Sequence, residues 1–394
     1  MKKVLKIMNI IEIDKQYIAG TYARFPLQLV EGKGSIVKDE TGKEYIDLGT
    51  GIAVNGFGVA DDEWKQAVIS QLDKIQHTSN LYYSEPCALL AQELCLRTGM
   101  KKVFFSNSGA EANECAIKAA RHYGQTKKGK DCYTVITLKN SFHGRTITTL
   151  SATGQDVFHE YFTPMTEGFV FADANDINSV KNLIKTHKCC AVMIELVQGE
   201  GGVMALNKEY VTELQKLIKE EDMLLIVDEV QTGNGRTGDL YAYMGYGITP
   251  DVVTTAKGLG GGLPIGATML GQRVENLFSA GMNGSTFGGN PVACAGALSI
   301  LKRIDEKLLQ EVREKSAYIF AELTHAKGVK SVSGKGLMIG VECEKDAGEV
   351  IAKCRERGVL VIKAKHKVRL LPALNIPMEQ LKKAIKTLKE VIAE

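Results

Sequence analysis

Between residues 103 and 229 short apolar runs alternate with amphipathic ones, and this alternation restricts the possible folds more than any other feature of the chain. The runs "VFFS" (103–106), "YTVITL" (133–138), "AVMIELV" (191–197) and "MLLIVDE" (223–229) have the length of strands and hold few polar residues. A strand that is apolar on both faces must be covered on both, the condition of a parallel sheet between helical layers. The intervening segments supply such helices. In "EYVTELQKLIKEED", Val211, Leu214, Leu217 and Ile218 recur at helical spacing, and "EANECAIKAARHY" is also amphipathic. The expected fold is α/β, with a mainly parallel sheet in a large domain over 60–299. From "PVACAGALSILKRI", a helix opening on proline, the pattern shifts to long charged helices and short strands such as "GLMIGVEC". Residues 300–394 are expected to form a smaller α+β domain that also takes in the segment 1–59. A chain of 394 residues is long enough to bury a core in each.

Composition excludes several classes of function. With 44% hydrophobic and 24% charged residues the chain is of the soluble globular type, and no stretch approaches the roughly 18 apolar residues of a membrane span. The net charge of +3 is spread thinly. The basic clusters "KKGK" (127–130) and "KAKHK" (363–367) are too short for the sustained stripe of a nucleic-acid binder. Nine cysteines, an odd number without any C-x-x-C, read as reduced and mostly buried thiols of a cytoplasmic protein rather than as a disulfide framework or a metal centre. The opening "MKKVLKIMNIIEIDK" has the outline of a leader, but Lys6, Asn9 and Glu12 interrupt its apolar run and no small-residue cleavage site follows closely.

Two glycine-containing stretches compete as phosphate sites. In "FFSNSGAEANE" a strand ends and a helix begins, with Ser108 and Glu111 in the spacing of a capping box, so the helix should start at Gly109. The amides of Gly109 and Ala110 then stand at the positive end of a helix dipole, where phosphate binds. Gly233, Gly235 and Gly238 in "GNGRTG" spell the dinucleotide pattern, but the aromatic, glycine-broken "DLYAYMGYG" follows where that pattern needs a helix. A nicotinamide or ATP reading is therefore set aside.

Asp228 ends an apolar strand, where open α/β sheets place their ligands, and a buried aspartate needs a cationic partner. Lys257 is the one charged residue of "TTAKGLGGGLPIGA" (254–267), between two strand-like runs and before glycines that bring backbone close. A phosphate cradle, a buried acid and a desolvated lysine together suit pyridoxal phosphate. That cofactor forms a Schiff base with lysine, pairs its ring nitrogen with aspartate and lays its phosphate on a helix N-terminus.

At this point the chain resembles the class III aminotransferases of the fold-type-I pyridoxal phosphate enzymes. "SNSGAEANECAIKAAR", "SFHGRT", "ELVQGEGGV", "DEVQTGNGRTG", "AKGLGGGLPIGA" and "STFGGNPVACA" carry the resemblance over essentially the whole chain. It implies Lys257 and Asp228 as catalytic residues. It implies a cofactor site of Ser108, Gly109, Ala110, Phe142 stacked on the ring, Glu229, Val230, Gln231 near the ring hydroxyl, and Thr286 donating to the phosphate. Thr286 and Ser285 would come from a partner subunit, so the resemblance implies a homodimer. Arg145 would hold a distal substrate carboxylate, and Glu200 and Arg369 would form a switch that covers or exposes a cation. No metal is implied.

"GIAVNG", "SATGQ", "FVFADANDI" and "VRLLPALNI" resemble the subgroup acting on acetylornithine. That implies transfer of the terminal amino group of N2-acetyl-L-ornithine to 2-oxoglutarate, in arginine biosynthesis. Ornithine, 4-aminobutyrate and succinyl-diaminopimelate transaminases share the motifs, and an aminomutase shares the lysine and the aspartate. Gly51 stands where the ornithine enzymes resemble one another in having tyrosine, which is expected to leave room for an acetyl group. The chain departs from the family pattern at "GFGVAD" (56–61) and at Leu196, while Gly58 keeps the turn.

Overall fold

The computed structural model describes residues 9–394. Its central sheet has seven strands: β1 (Lys102–Ser106), β2 (Thr134–Leu138), β3 (Phe169–Ala172), β4 (Cys189–Ile194), β5 (Leu224–Asp228), β6 (Val252–Thr255) and β7 (Gly266–Leu270). Their order across the sheet is β1-β7-β6-β5-β4-β2-β3. The pairs from β6 through β3 are parallel, and β7 alone runs antiparallel, to β6 and to β1.

The alternation of side chains along β4 and β5 explains why both strands are apolar throughout. Ala191, Met193, Leu224 and Ile226 pack on one face with Ala116, Ile117 and Ala120 of the helix Gly109–Lys127. Val192, Ile194, Leu225 and Val227 pack on the other with Val211, Leu214 and Ile218 of the helix Lys208–Glu220. Small residues let the first helix lie close. A Cβ on its Gly124 would stand 2.3 Å from Cys132 O. All nine cysteines are free, seven of them buried.

The chain ends meet around this sheet. Strand Glu44–Asp47 pairs in parallel with Val359–Leu360, joining the first strands to the last third of the chain. A further antiparallel sheet holds Val329–Lys335, Met338–Cys343, Lys367–Leu370 and Ile362–Ala364. Arg236, in "GNGRTG", ties the two regions together. It is 2% exposed and donates to the carbonyls of Leu337 and Pro372.

Two local readings are corrected. The run 191–197 is not one strand: β4 stops at Ile194, and Val197–Gln198 pairs instead with Met204–Ala205. The carboxylate of Glu195 accepts from Phe142 N and Gly199 N and so turns the chain out of the sheet. The stretch after "GNGRTG" does contain a helix, Ala242–Tyr246, but it spans five residues and Gly247 ends it at φ +71°. Residues 1–8, which hold most of the leader-like outline, lie outside the described residues. Among the described residues no helix is long and apolar enough to cross a membrane.

Gly58 keeps a turn at φ +80°, where a Cβ would lie 2.5 Å from Gly34 O. Gly58→Ala is expected to destabilise the protein by about 1–3 kcal/mol, from left-handed strain and this clash. Denaturant unfolding measures it, and a change within about 0.5 kcal/mol, the ordinary surface range, would contradict the account.

Candidate active site

The carboxyl ends of β1, β2, β4 and β5, with the turn after β6, converge on one cavity of about 630 Å³. β1 leads into the helix Gly109–Lys127. Ser108 is its N-cap and accepts from Glu111 N at 3.2 Å, while Glu111 reaches back to Ser108 Oγ and Asn107 N. The capping leaves the first amides, those of Gly109 and Ala110, without intrahelical partners, and both residues line the cavity. Gly109 has to be a glycine here, because a Cβ would stand 2.6 Å from Val230 Cγ1.

Asp228 is 4% exposed at the end of β5 and is fully engaged. Its Oδ2 lies 2.8 Å from both Asn113 Nδ2 and His143 Nδ1, and its Oδ1 accepts from Val230 N at 3.0 Å. Lys257 follows β6 in a short 3-10 turn with φ +44°, a left-handed conformation that a side chain adopts only under tertiary constraint. It is partly buried at the cavity wall. Desolvation holds its ammonium below the usual lysine range, against the opposing pull of Asp228, Glu200 and Glu195.

The remaining candidates fall into three groups. Phe142, Arg145, Val230 and Gln231 line the same cavity, and the Arg145 guanidinium sits 4.1 Å from the Phe158 ring centroid and 5.6 Å from that of Phe142. Arg369 lies behind Gln231 and is 3% exposed. Its Nη1 is 2.6 Å from Glu200 Oε1 and 3.3 Å from Gln231 Oε1, and its Nε has no partner. Four residues stand apart. Glu229 turns its buried carboxylate away, toward Thr232 Oγ1 and Tyr243 N. Ser285 bonds Asn107, whereas Thr286 is exposed on the surface beyond this cavity. Gly51 does not line the cavity either. It borders a separate groove, in a left-handed turn running from Thr50 to Ala53.

Sequence reasoning passed over Asn113, His143, Glu195 and Tyr22. Asn113 bridges Asp228, His143 O and Thr254 Oγ1, and a fully buried asparagine on the inner face of an alanine-rich helix was the available signal. His143 sits inside the quoted "SFHGRT". Its Nε2 is buried without a partner. Glu195 was hidden in an apolar run, and burial pushes its carboxyl above the usual range. Tyr22 reaches the cavity from the N-terminal segment, which nothing local announces.

A helix N-terminus with free amides, a buried acid and a desolvated lysine meet on the carboxyl edge of a doubly covered sheet, the groups that a lysine-anchored transferase requires. Residues 17–392 match the class-III aminotransferase family. The chain is 49% identical over 385 residues to an acetylornithine aminotransferase of Haemophilus ducreyi, covering 97% of this chain and 98% of that one. Its structure resembles an N-acetylornithine aminotransferase from Stenotrophomonas maltophilia, with TM-score 0.82 and 34% identity over 98% of both chains. It also resembles an ornithine aminotransferase from Toxoplasma gondii, described with partial occupancy of PLP at its active site, with TM-score 0.93 and 31% identity over 99% of this chain and 96% of that one. The chain belongs to the class-III aminotransferases, and its fold is that of their mixed α/β transferases.

Burial pushes the Glu229 carboxyl up to about 7. Between its unfolded range, near 4.3, and that value the folded state binds more protons than the unfolded one, so this group lowers stability as pH rises across the window. Glu229→Gln should flatten the stability profile between about pH 4.5 and 7, by up to about 3 kcal/mol in total. Urea unfolding at a series of pH values tests this, and parallel profiles for parent and variant would exclude it.

Proposed function

We propose that this chain transfers the terminal amino group of N2-acetyl-L-ornithine to 2-oxoglutarate, using pyridoxal phosphate, and that it works as a homodimer in the cytoplasm. The observation that carries the reading is the Glu200–Arg369 pair, held behind Gln231 and near enough to Lys257 to bear on its charge. The identity to acetylornithine enzymes selects that donor over ornithine. The residues present suit the cofactor. Gly109 and Ala110 offer free amides to a phosphate, and the Asp228 carboxylate, with its other contacts already made, is the anion facing the cavity between them and Lys257.

Bound there, pyridoxal phosphate would supply an electron sink for the carbanion left when a proton leaves the amine-bearing carbon. The chain's own residues do the rest. Asn113, His143 and Val230 N hold the Asp228 carboxylate in place, where it would pair with a protonated ring nitrogen. Phe142 and Gln231, which line the cavity, would cover the ring face and meet the ring hydroxyl. Lys257, deprotonated more easily than a free lysine, would anchor the cofactor covalently, and its Nζ, freed when the substrate amine takes its place, would carry the proton from the substrate carbon to the cofactor. Arg145, which among the described residues contacts only aromatic faces, would offer its fork to a distal carboxylate.

Two substrates must share this site. Acetylornithine reacts at its terminal amine and brings no carboxylate near the reacting carbon, whereas glutamate brings one. Glu200 neutralises Arg369 for the first and moves aside for the second. Thr286 would serve the phosphate of the partner's site. The surface beside it supports this, since Leu81, Tyr83 and Phe287 are 86%, 106% and 60% exposed. Asn80 fastens that strip to Ser285 O and Gly288 O. Apolar surface of this kind marks an interface.

Borohydride reduction followed by peptide mapping should label Lys257, and Lys257→Ala should fold and take no label. Label on another lysine overturns the assignment. Glu200→Ala should leave glutamate turnover intact or better while slowing acetylornithine, shifting the ratio of the two half-reactions by roughly ten- to hundredfold, the worth of a charged hydrogen bond. A donor panel with 2-oxoglutarate in which ornithine matches acetylornithine would move the proposal to the ornithine enzymes.

A further inference from the structure

Glu195 takes no part in the chemistry above, yet it lines the cavity and is 6% exposed. A carboxylate removed from water without an ion-paired cation is costly, and such groups persist where their hydrogen bonds do something specific. Its two oxygens each accept one backbone amide: Oε1 from Phe142 N at 2.8 Å and Oε2 from Gly199 N at 3.2 Å. Phe142 begins the loop that carries His143 and Arg145. Gly199 directly precedes Glu200.

The surroundings make this clamp directional. A Cβ on Gly199 would stand 2.5 Å from Gln231 Nε2, so this residue packs its backbone on the Gln231 side chain. Gln231 Oε1 in turn accepts from Arg369 Nη1. A displacement of Gly199 therefore reaches both partners of Arg369, through Glu200 by the chain and through Gln231 by contact.

We propose that Glu195 is a positioning residue for the switch, whose grip on Gly199 N sets Glu200 against Arg369 while its grip on Phe142 N keeps that turn in register with the loop bearing Arg145. The proposal rests on the reading of Glu200 and Arg369 given above. A cap for either turn alone needs one acceptor. Coupling the turns needs two, and only a carboxylate of this length supplies both. Glutamine keeps the shape but sets an amide donor against one of the two N–H groups.

The test compares Glu195→Gln, Glu200→Ala and the double variant as holoenzymes, measuring each half-reaction by rapid-mixing absorbance. Binding of the unreactive dicarboxylate glutarate is measured by calorimetry. Glu195→Gln should lower the acetylornithine-to-glutamate ratio about tenfold and tighten glutarate by a similar factor, as Arg369 is uncovered. In the double variant the ratio should equal that of Glu200→Ala alone. Glu229→Gln, an equally buried acid facing away, should shift both half-reactions together and leave the ratio alone. A Glu195→Gln enzyme whose half-reactions fall in parallel, or a double variant whose ratio is the product of the single effects, overturns the proposal. If Glu200→Ala itself leaves the ratio unchanged, the switch reading fails first and this proposal with it. Should Glu195→Gln not accumulate, Glu195→Asp, too short to span both amides, is read in the same way.

Discussion

The site is organised by the cost of burying the Asp228 carboxyl group away from water. Three donors meet that cost, and each comes from a different place: Asn113 from the helix after β1, His143 from the loop after β2, and Val230 N from the turn after β5 itself. Parallel strands make this convergence possible, because their carboxyl ends all open on one edge. The same edge places Lys257 within the influence of Asp228. Desolvation makes the lysine easier to deprotonate, while hydrogen bonds hold the aspartate side chain in place beside it.

Close backbone approach is the second constraint. Gly109 leaves room for Val230, Gly199 for Gln231, and Gly144 for Thr149 Oγ1, which a Cβ would meet at 2.5 Å. Each glycine stands where segments at the sheet edge pack closely on one another. Lys257 shows the same crowding from the other side, since a side-chain-bearing residue is held there at positive φ. That strain is sustained because β6, β7 and the turn between them are fixed by sheet pairing on both sides.

Arg369, the cation proposed to distinguish the two substrates, comes from far away in the chain. Arg369 lies on an antiparallel strand of a different sheet, paired with Gly340 and Ile362. The segment after it is fastened by Leu371 N to Leu48 O, Leu374 N to Gly56 O and Arg236 to Pro372 O. Packing between the chain ends and the central sheet therefore sets how firmly the guanidinium faces Glu200. Under the proposed switch, substrate selectivity would depend on tertiary fastening more than on any local motif.

The sequence by itself determined most strands of the central layer with the helices Gly109–Lys127 and Lys208–Glu220, the N-cap at Ser108 and the desolvated setting of Lys257. Each of these follows from residues adjacent in the chain, where periodicity, capping and glycine placement act. Roles for Glu200, Arg369 and Thr286 came from resemblance, since a lone charge or hydroxyl in a loop has no local signature. Only the tertiary structure decided that β7 is reversed, that the run 191–197 breaks at Glu195, and that Glu229 and Gly51 face elsewhere. It also brought Asn113, His143 and Tyr22 to the cavity. The physical reason is common to all of these: they depend on which partner a hydrogen-bonding group finds across more than two residues of chain, and that is settled by the packing of whole elements.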